Sequence, residues 1–187
     1  GAKYLRGGLG YGGPCLDRDN VALTALANNI GASARLVEAT DLTNRQEVVR
    51  LVSLIKSKRD NKGTVGVLGL SYKPETNVID ASQGLLLAQT LAMEGIPVVA
   101  YDPAAMDQAR KVLDESVILC ESAEGCIHKS DVVVISTAWK EFEKLDPQAF
   151  GPSGSRVLID CWRILDPSQF ANVTDYIGMG VGPAANR

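Results

Sequence analysis

Two kinds of hydrophobic pattern divide the chain. Over its first third, apolar positions recur at helical spacing with charged residues between them, which predicts a short helix over residues 19–30 and a longer one over 34–59. Beyond a polar turn at 60–63, short runs of Val, Ile and Leu alternate with helical segments. We therefore predict a helical region over residues 1–60 and a second domain over residues 61–187.

The pattern of the second domain predicts a parallel sheet. Strands are expected at residues 64–70, 98–101, 117–119, 131–136, 156–161 and 176–179, and helices at residues 83–94, 104–113 and 122–128. Strands that are apolar almost throughout are typical of a parallel sheet with helices on both faces. The expected fold class is a doubly wound α/β sheet preceded by a helical segment.

A glycine-rich segment precedes the first predicted helix and leads through Pro14 to Cys15. This placement predicts that Cys15 lies near a helix N-terminus, with Asp17 or Asp19 as the N-cap. The helix dipole and the neighbouring Arg18 favour a nucleophilic cysteine, whereas the adjacent acids oppose that effect. Two interpretations stay open: Cys15 is a nucleophile with Asp19 directing water, or Cys15 is a small buried side chain behind a flexible glycine loop.

Composition narrows the classes of partner. The chain has 187 residues, a net charge of -3 and no apolar run that approaches the roughly 20 residues of a membrane span, so neither a nucleic acid nor a membrane is expected. Four scattered cysteines and one histidine lack metal-ligand spacing and predict a reduced, cytoplasmic protein without a zinc site. Because the chain opens Gly1-Ala2-Lys3, we expect it to be part of a longer protein.

A second candidate site follows the first predicted strand. Tyr72 offers an aromatic face for a base and Lys73 a cation for phosphate, at the edge of the sheet where parallel sheets bind ligands. Asp102, after the next strand, raises the rival interpretation of a dinucleotide site, but the closely spaced glycines of such a site are missing. A mononucleotide or nucleotide sugar is favoured over NAD here. The structural alternatives are a turn residue at Asp102 and a solvated charge at Lys73.

Later strand ends border the same edge. Trp139, Trp162 and Arg163 are expected to line the crevice or to pack beside it. Cys120, Cys126, Cys161 and His128 are expected to fill the core or lie on the surface. The long helix over 34–59 is expected either to bridge domains or form a dimer interface, or to pack on its own domain.

Two motifs give the chain a family resemblance. Residues 10–19, Gly-Tyr-Gly-Gly-Pro-Cys-Leu-Asp-Arg-Asp, are similar to the signature Gly-[Phe/Tyr]-Gly-Gly-x-Cys-x-x-Lys-Asp, and residues 69–76, Gly-Leu-Ser-Tyr-Lys-Pro-Glu-Thr, to Gly-Leu-x-[Phe/Tyr]-Lys-x-[Asp/Glu]-Thr. Tyr101-Asp102-Pro103 is a supporting match. The chain resembles the C-terminal half of the UDP-glucose/GDP-mannose dehydrogenase family.

The resemblance implies NAD-dependent oxidation of the primary alcohol of a UDP- or GDP-sugar to the acid, in two hydride transfers. It implies that Cys15 forms a thiohemiacetal and then a thioester, that Asp19 assists the hydrolytic water, and that NAD is bound mainly by an N-terminal domain absent from this chain. It places the helix over 34–59 at a homodimer interface. The positions that match substrate-binding residues of the family are Lys3, Tyr4, Leu5, Gly10, Tyr11, Gly12, Gly13, Arg18, Tyr72 and Lys73.

Three positions depart from the family pattern. Arg18 replaces a lysine, Asp80 stands where an arginine is usual, and Trp162 occupies another arginine position, where Arg163 is a candidate substitute. Arginine and lysine differ in contact geometry, and Asp80 reverses a charge. Two alternatives to the dehydrogenase therefore stay open: a nucleotide-sugar binding module without catalytic activity, and a two-electron dehydrogenase of the hydroxy-acid type in which Cys15 is incidental.

Overall fold

The computed structural model describes residues 7–60, 62–152 and 154–182. Two helices come first, and an alternating β/α region follows them. The helices are α1 (Leu16–Asn29), α2 (Arg35–Lys58), α3 (Gln83–Met93), α4 (Met106–Arg110), α5 (Ala123–His128) and α6 (Pro167–Phe170). The strands are β1 (Val65–Leu68), β2 (Val98–Tyr101), β3 (Val117–Leu119), β4 (Val132–Ile135), β5 (Val157–Asp160) and β6 (Asp175–Gly178). Short 3₁₀ turns span Phe142–Lys144 and Pro147–Phe150.

The six strands form one parallel sheet in the order β3-β2-β1-β4-β5-β6. Val67 of β1 is paired with Ala100 of β2 on one side and with Val134 of β4 on the other. From β1 the chain adds β2 and then β3 on one side, and it then crosses over to add β4, β5 and β6 on the other side. The strand order therefore reverses between β1 and β4. This confirms the predicted doubly wound α/β fold.

Each face of the sheet has its own core, as the pleat requires. Along β4, Val132 and Val134 belong to one hydrophobic cluster, while Val133 and Ile135 belong to the other. The first cluster contains buried residues of α2 and α3, and the second contains residues of α5, α6 and the 3₁₀ turns. Both faces are covered, which explains why the strands are almost entirely apolar.

The second half of α2 is part of the first core. Val48, Leu51, Val52 and Ile55 recur at helical spacing, are buried and belong to the cluster that includes the sheet. In contrast, α1 buries only Ala27 and packs on α2. The division at residues 60 and 61 stays a prediction.

The helix boundaries differ from those predicted where local hydrogen bonds decide them. Helix α1 begins at Leu16, and its N-cap is Cys15, which makes no side-chain cap hydrogen bond, so the prediction of Asp17 or Asp19 as N-cap was wrong. Both acids lie instead in the first turn, where they favour the positive end of the helix. Helix α4 is shorter than predicted because the Asp102 carboxylate holds the amides of Ala104 and Ala105 in the preceding turn.

We predict that Ile55→Ala destabilises the sheet as well as the helix. The side chain is fully buried in the core that α2 shares with β1 and β4, so its truncation is expected to cost about 2–5 kcal/mol of unfolding free energy. The measurement is urea unfolding followed by the fluorescence of Trp139 and Trp162, and Val112→Ala, at an exposed valine away from this core, is the control. An unchanged tryptophan transition in Ile55→Ala would show that α2 does not share this core.

Candidate active site

The glycine loop, residues 7–15, is held by segments that follow the strands. Arg163 Nη2 donates to Gly7 O at 2.8 Å, and the Trp162 indole lies directly against Gly8. Further along, Gly13 N donates to Asp80 O at 2.8 Å. The loop is therefore fixed from both sides of the point where the strand order reverses.

Tyr11 is the most heavily bonded residue of the glycine loop. Its backbone oxygen accepts from Asn44 Nδ2 of α2 and from Gln83 Nε2 of α3, each at 3.0 Å. Its hydroxyl accepts from Asn20 Nδ2 of α1 at 2.8 Å. Sequence reasoning missed these partners, although Asn44 lies four residues before Val48, in phase with the apolar face of α2, and a polar residue there is a usable signal.

Two of the glycines are required by contacts within the chain. Gly13 has a φ of 94°, and a methyl group on it would lie 2.6 Å from Tyr72 Cε2. A methyl group on Gly10 would collide with Asn44 Oδ1. Contacts within the chain therefore explain the glycines at positions 10 and 13.

Cys15 is exposed at the N-terminus of α1, so its interpretation as a buried small side chain is wrong. Asp19 lies one helical turn further on, with its backbone N donating to Cys15 O at 2.8 Å, so the two side chains share a face of the helix. Arg18 Nε contacts Asp19 Oδ1 at 3.4 Å, and both side chains are largely exposed. The thiol, the carboxylate and the guanidinium thus stand together at one helix end, open to solvent.

The loop after β1 brings Tyr72 and Lys73 to the glycine loop. The Tyr72 ring packs on Gly13, and Lys73 Nζ lies 5.4 Å from the centroid of that ring. Two left-handed residues, Glu75 at φ 60° and Ala81 at φ 47°, shape this loop. The two sites that the sequence presents far apart are therefore in contact.

Asp102 does not offer a site for a ribose. Its carboxylate is fully buried and accepts bonds from the segment after β1, from the turn after β2 and from Trp139. Oδ2 accepts hydrogen bonds from Leu70 N, Ser71 N, Ser71 Oγ and Trp139 Nε1. Oδ1 accepts hydrogen bonds from Ala104 N and Ala105 N. Because protein donors use both oxygens, the described residues do not fit a dinucleotide here, and Trp139 packs rather than lining a crevice.

Asp160 organises the end of β5 in the same way. Its buried carboxylate accepts from the backbone amides of Trp162, Arg163 and Leu165 and from the Tyr176 hydroxyl. Burial, followed by the charge of Asp160, raises the pKa of the Tyr176 phenol above its usual range.

Trp162 and Arg163 are tied to the protein itself. Trp162 Nε1 donates to Ser136 O at 2.8 Å, so the indole that packs on Gly8 has a fixed orientation. Arg163 has a φ of 54°, and its guanidinium bonds the backbone oxygens of Gly7 and Met179. At these two positions the chain uses both side chains to support the glycine loop.

An open surface groove of about 580 Å³ lies between the glycine loop and α2. Gly8, Gly10 and Tyr11 line one side, and Leu36, Thr40 and Asn44 line the other. This volume is in the range of small-molecule sites. Lys3, Tyr4 and Leu5, the predicted substrate-binding residues before the loop, lie outside the described residues.

The remaining chemistry-bearing residues stay apart from this site. Three cysteines are buried and form no disulfide: Cys120, Cys126 and Cys161. His128 is exposed, and both outcomes agree with the prediction of core or surface positions. Within residues 7–60, 62–152 and 154–182, no group of three or more His, Cys, Asp or Glu side chains is arranged to hold a metal ion. No helix in the same ranges has the length and apolar character of a membrane span.

Two family models match the chain. Residues 66–167 match the UDP-binding domain of the UDP-glucose/GDP-mannose dehydrogenase family, and residues 1–46 match the central domain of the same family. The first match runs from β1 to β5 and includes the Tyr72–Lys73 loop. The second covers the glycine loop, Cys15 and the beginning of α2.

Individual relatives agree with the models. The chain is 35% identical over 166 residues to UDP-glucose 6-dehydrogenase AglM of Haloferax volcanii, a stretch that covers 88% of this chain and 38% of that protein. It is 34% identical over 148 residues to UDP-glucose 6-dehydrogenase TuaD of Bacillus subtilis, covering 78% of this chain and 32% of that protein. The chain thus spans well under half the length of these relatives.

Solved structures extend the similarity to three dimensions. A UDP-glucose dehydrogenase from Pyrobaculum islandicum superposes with a TM-score of 0.81 at 30% identity, over 91% of this chain and 38% of that one. A GDP-mannose dehydrogenase from Pseudomonas aeruginosa gives a TM-score of 0.75 at 25% identity, over 88% of this chain and 39% of that one. With its sheet, its loops and its cysteine-bearing helix end all matched, the chain belongs to the UDP-glucose/GDP-mannose dehydrogenase family.

Proposed function

We propose that the chain is the cysteine-bearing and nucleotide-binding part of an NAD-dependent nucleotide-sugar 6-dehydrogenase. This enzyme would oxidise the primary alcohol of a UDP- or GDP-sugar to the acid. The observation that carries the proposal is the exposed Cys15 at the start of α1, with Asp19 one turn along and the Tyr72–Lys73 loop against the same glycine loop. The activities of its relatives and the family match support the same reaction class.

In this proposal Cys15 makes the second oxidation possible. An aldehyde does not give up its C–H hydrogen as hydride until a nucleophile has added to its carbon, because direct loss would leave an acylium ion. The Cys15 sulfur adds to the aldehyde carbon and the carbonyl oxygen takes a proton, which gives a thiohemiacetal. Loss of the C–H hydride and the hydroxyl proton then gives a thioester. Water attacks the thioester carbon, the carbon–sulfur bond breaks, and the acid and the free thiol are released.

Asp19 is proposed to act in the hydrolytic step. A carboxylate one turn from the sulfur can orient a water molecule towards the thioester carbon and accept its proton. Arg18 lies on the same exposed turn, 3.4 Å from Asp19, and is proposed to bind substrate there. Its planar guanidinium keeps the positive charge of the lysine it replaces but directs hydrogen bonds differently.

The glycine loop and the loop after β1 are proposed to bind the substrate from its two ends. Lys73 is exposed and forms no salt bridge with any residue that the structure describes, so its charge is available for a diphosphate. Tyr72 is proposed to contact the nucleotide beside it. Gly10 and Tyr11 border the groove beside α2, Gly13 lies against the Tyr72 ring, and Gly12 lies against the backbone oxygen of Ala81. These four residues are proposed to bind the sugar together with Lys3, Tyr4 and Leu5.

The hydride acceptor is proposed to bind outside the described residues. NAD would take the hydride in both oxidations, and the saturated carboxylate of Asp102 is the reason not to place it on this sheet. A catalytic thiol needs a reducing compartment to stay reduced, which supports the cytoplasm as the proposed location.

A homodimer through α2 is the proposed assembly. Leu42 and Val49 of this helix are exposed, although the same helix buries Val48 and Ile55 in the core. A second copy of the chain would cover the outer face.

The departures at Asp80 and Trp162 support a second candidate, a nucleotide-sugar binding module without catalysis. Asp80 is exposed and contributes its backbone oxygen to Gly13, and the indole of Trp162 packs under Gly8. Neither offers the positive charge of the family's arginine. Binding of a nucleotide sugar by the full-length protein, with no turnover across a panel of sugars, would favour this candidate.

We predict that Cys15→Ser abolishes acid formation by the full-length protein. A serine hydroxyl is a weaker nucleophile than a thiol at neutral pH, so the second oxidation should fall by at least about a thousandfold. NADH release and uronic acid are measured together, and the wild type should release two NADH for each sugar oxidised. Cys120→Ser, a buried cysteine, is the control and should keep the ratio of two. One NADH per sugar in the wild type would contradict the proposed reaction.

We predict that Lys73→Ala weakens nucleotide binding. Loss of one charge facing a diphosphate is expected to raise the Kd for UDP or GDP about tenfold, measured by calorimetry on the full-length protein. Lys111→Ala, an exposed lysine outside this loop, should leave the Kd within twofold. Equal affinities of the two variants would remove Lys73 from the site.

We predict that Val49→Glu separates the dimer. A carboxylate in the middle of an apolar interface lacks a partner, so sedimentation should give half the wild-type mass at micromolar concentration. Val112→Glu adds the same charge at an exposed valine on another surface and should not change the mass. A wild type that sediments as a monomer would refute the dimer proposal directly.

A further inference from the structure

Two buried amide side chains hold the same backbone oxygen of the glycine loop. Asn44 of α2 and Gln83 of α3 are 7% and 8% exposed, and their nitrogens each lie 3.0 Å from Tyr11 O. Because a carbonyl oxygen only accepts hydrogen bonds, both amide nitrogens must face Tyr11. We call Asn44 and Gln83 the amide clamp.

The oxygens of the amide clamp face Gly10. A methyl group on Gly10 would collide with Asn44 Oδ1 and would lie 2.9 Å from Gln83 Oε1. Neither oxygen has a hydrogen-bond partner among the described residues. Buried polar atoms without partners destabilise a fold, so apolar side chains of similar size would serve the stability of this region better. The two amides are therefore better explained by what they do to the loop than by what they add to the core.

We propose that Asn44 and Gln83 are positioning residues that fix the segment carrying Cys15. The proposal rests on the proposed function, in which Cys15 is the nucleophile. The clamp joins three elements at one atom, because α2 and α3 both donate to the loop through Tyr11 O. A carbonyl oxygen has two lone pairs, and the two amides use both.

Hydrogen bonds restrict the segment between the amide clamp and the Cys15 thiol. Two residues after Tyr11, Gly13 N is bound to Asp80 O, and two residues after that Cys15 begins α1. The Tyr11 hydroxyl is also bound to Asn20, in the second turn of α1. A shift at Tyr11 is thus passed to Cys15 through three intervening residues, 12–14, of a segment that is hydrogen-bonded at both ends.

Such a shift should act on the rate more than on substrate binding. A nucleophile must lie about 3–3.5 Å from the carbon that it attacks, so a displacement of about 1 Å lowers the rate strongly. The glycine loop also contacts the sugar in the proposed function, but the nucleotide end of the substrate is assigned to Lys73 and Tyr72 on another loop. The expected signature is therefore a fall in kcat that exceeds the rise in KM.

The test uses variants that keep volume and remove the amide. Gln83→Met and Asn44→Leu each remove one donor, the double variant removes both, and Gln46→Met, on an exposed part of α2, is the matched control. In the full-length protein, backbone amide exchange is followed for residues 10–15 and for strands β1 and β4, together with kcat and KM for the nucleotide sugar.

We expect a more than additive effect in the double variant. Each single variant should raise exchange at residues 10–15 by less than about threefold, because one donor remains, and the double variant by on the order of tenfold or more. Exchange in β1 and β4 should stay within about twofold of wild type, since the core is not touched. The kcat of the double variant should fall by about tenfold or more, with KM within about threefold.

Several results would overturn the proposal. Wild-type exchange at residues 10–15 in the double variant shows that the clamp does not hold the loop, and faster exchange with unchanged kcat shows that it does not position Cys15. If the wild type oxidises no nucleotide sugar, the proposed function fails, and the exchange data still decide whether the clamp holds the segment. If the double variant does not fold, Gln83→Glu replaces it. An ionised carboxylate at this position repels Tyr11 O as well as failing to donate, so exchange at residues 10–15 should exceed that of either apolar single variant, and exchange equal to that of Gln46→Glu refutes the clamp.

Discussion

The site depends on carboxylates that are buried at the ends of strands and fully used by protein donors. Asp102, after β2, binds the segment after β1 and the turn before α4, and Asp160, at the end of β5, binds the segment that carries Trp162 and Arg163. A buried charge is tolerated only when its hydrogen bonds are made, so each acid forces several backbone amides into one arrangement. The loop positions at this edge of the sheet follow from that requirement. Tyr72, Lys73 and Trp162 all lie within a few residues of an amide that one of the two acids holds.

The glycine loop is then shaped by what those loops present to it. Trp162 lies under Gly8, the Tyr72 ring lies against Gly13, and the two amides of α2 and α3 lie against Gly10. The glycine loop, which its composition would suggest is flexible, is thus packed closely against the side chains of neighbouring segments. The glycines let the main chain of this loop approach several side chains closely, and those contacts support the loop. The loop in turn holds Cys15 at the exposed N-terminal end of α1.

The fold could be predicted from the sequence because strand and helix periodicities are strong in buried elements. The apolar strands of the sheet and the stripe of α2 gave the elements to within a few residues, and the alternation of strand and helix gave the parallel sheet. The start of α4 was missed because it depends on the side-chain hydrogen bonds of Asp102, which no periodicity reports. The same is true of the site. Cys15, Tyr72 and Lys73 have chemistry that can be recognised one residue at a time, whereas Asn44 and Gln83 matter only through the atom they share, and that atom is set by tertiary contact.

The contact of Gly10 with two amide oxygens also restricts how this sequence can diverge. Positions 10, 44 and 83 fill one space, so a relative with a side chain at position 10 must have smaller residues at one or both of the other positions. Positions 13 and 72 are linked in the same way through the tyrosine ring. Substitutions in the glycine loop are therefore expected to appear in descendants of this chain only as matched sets, spread over residues more than 30 positions apart.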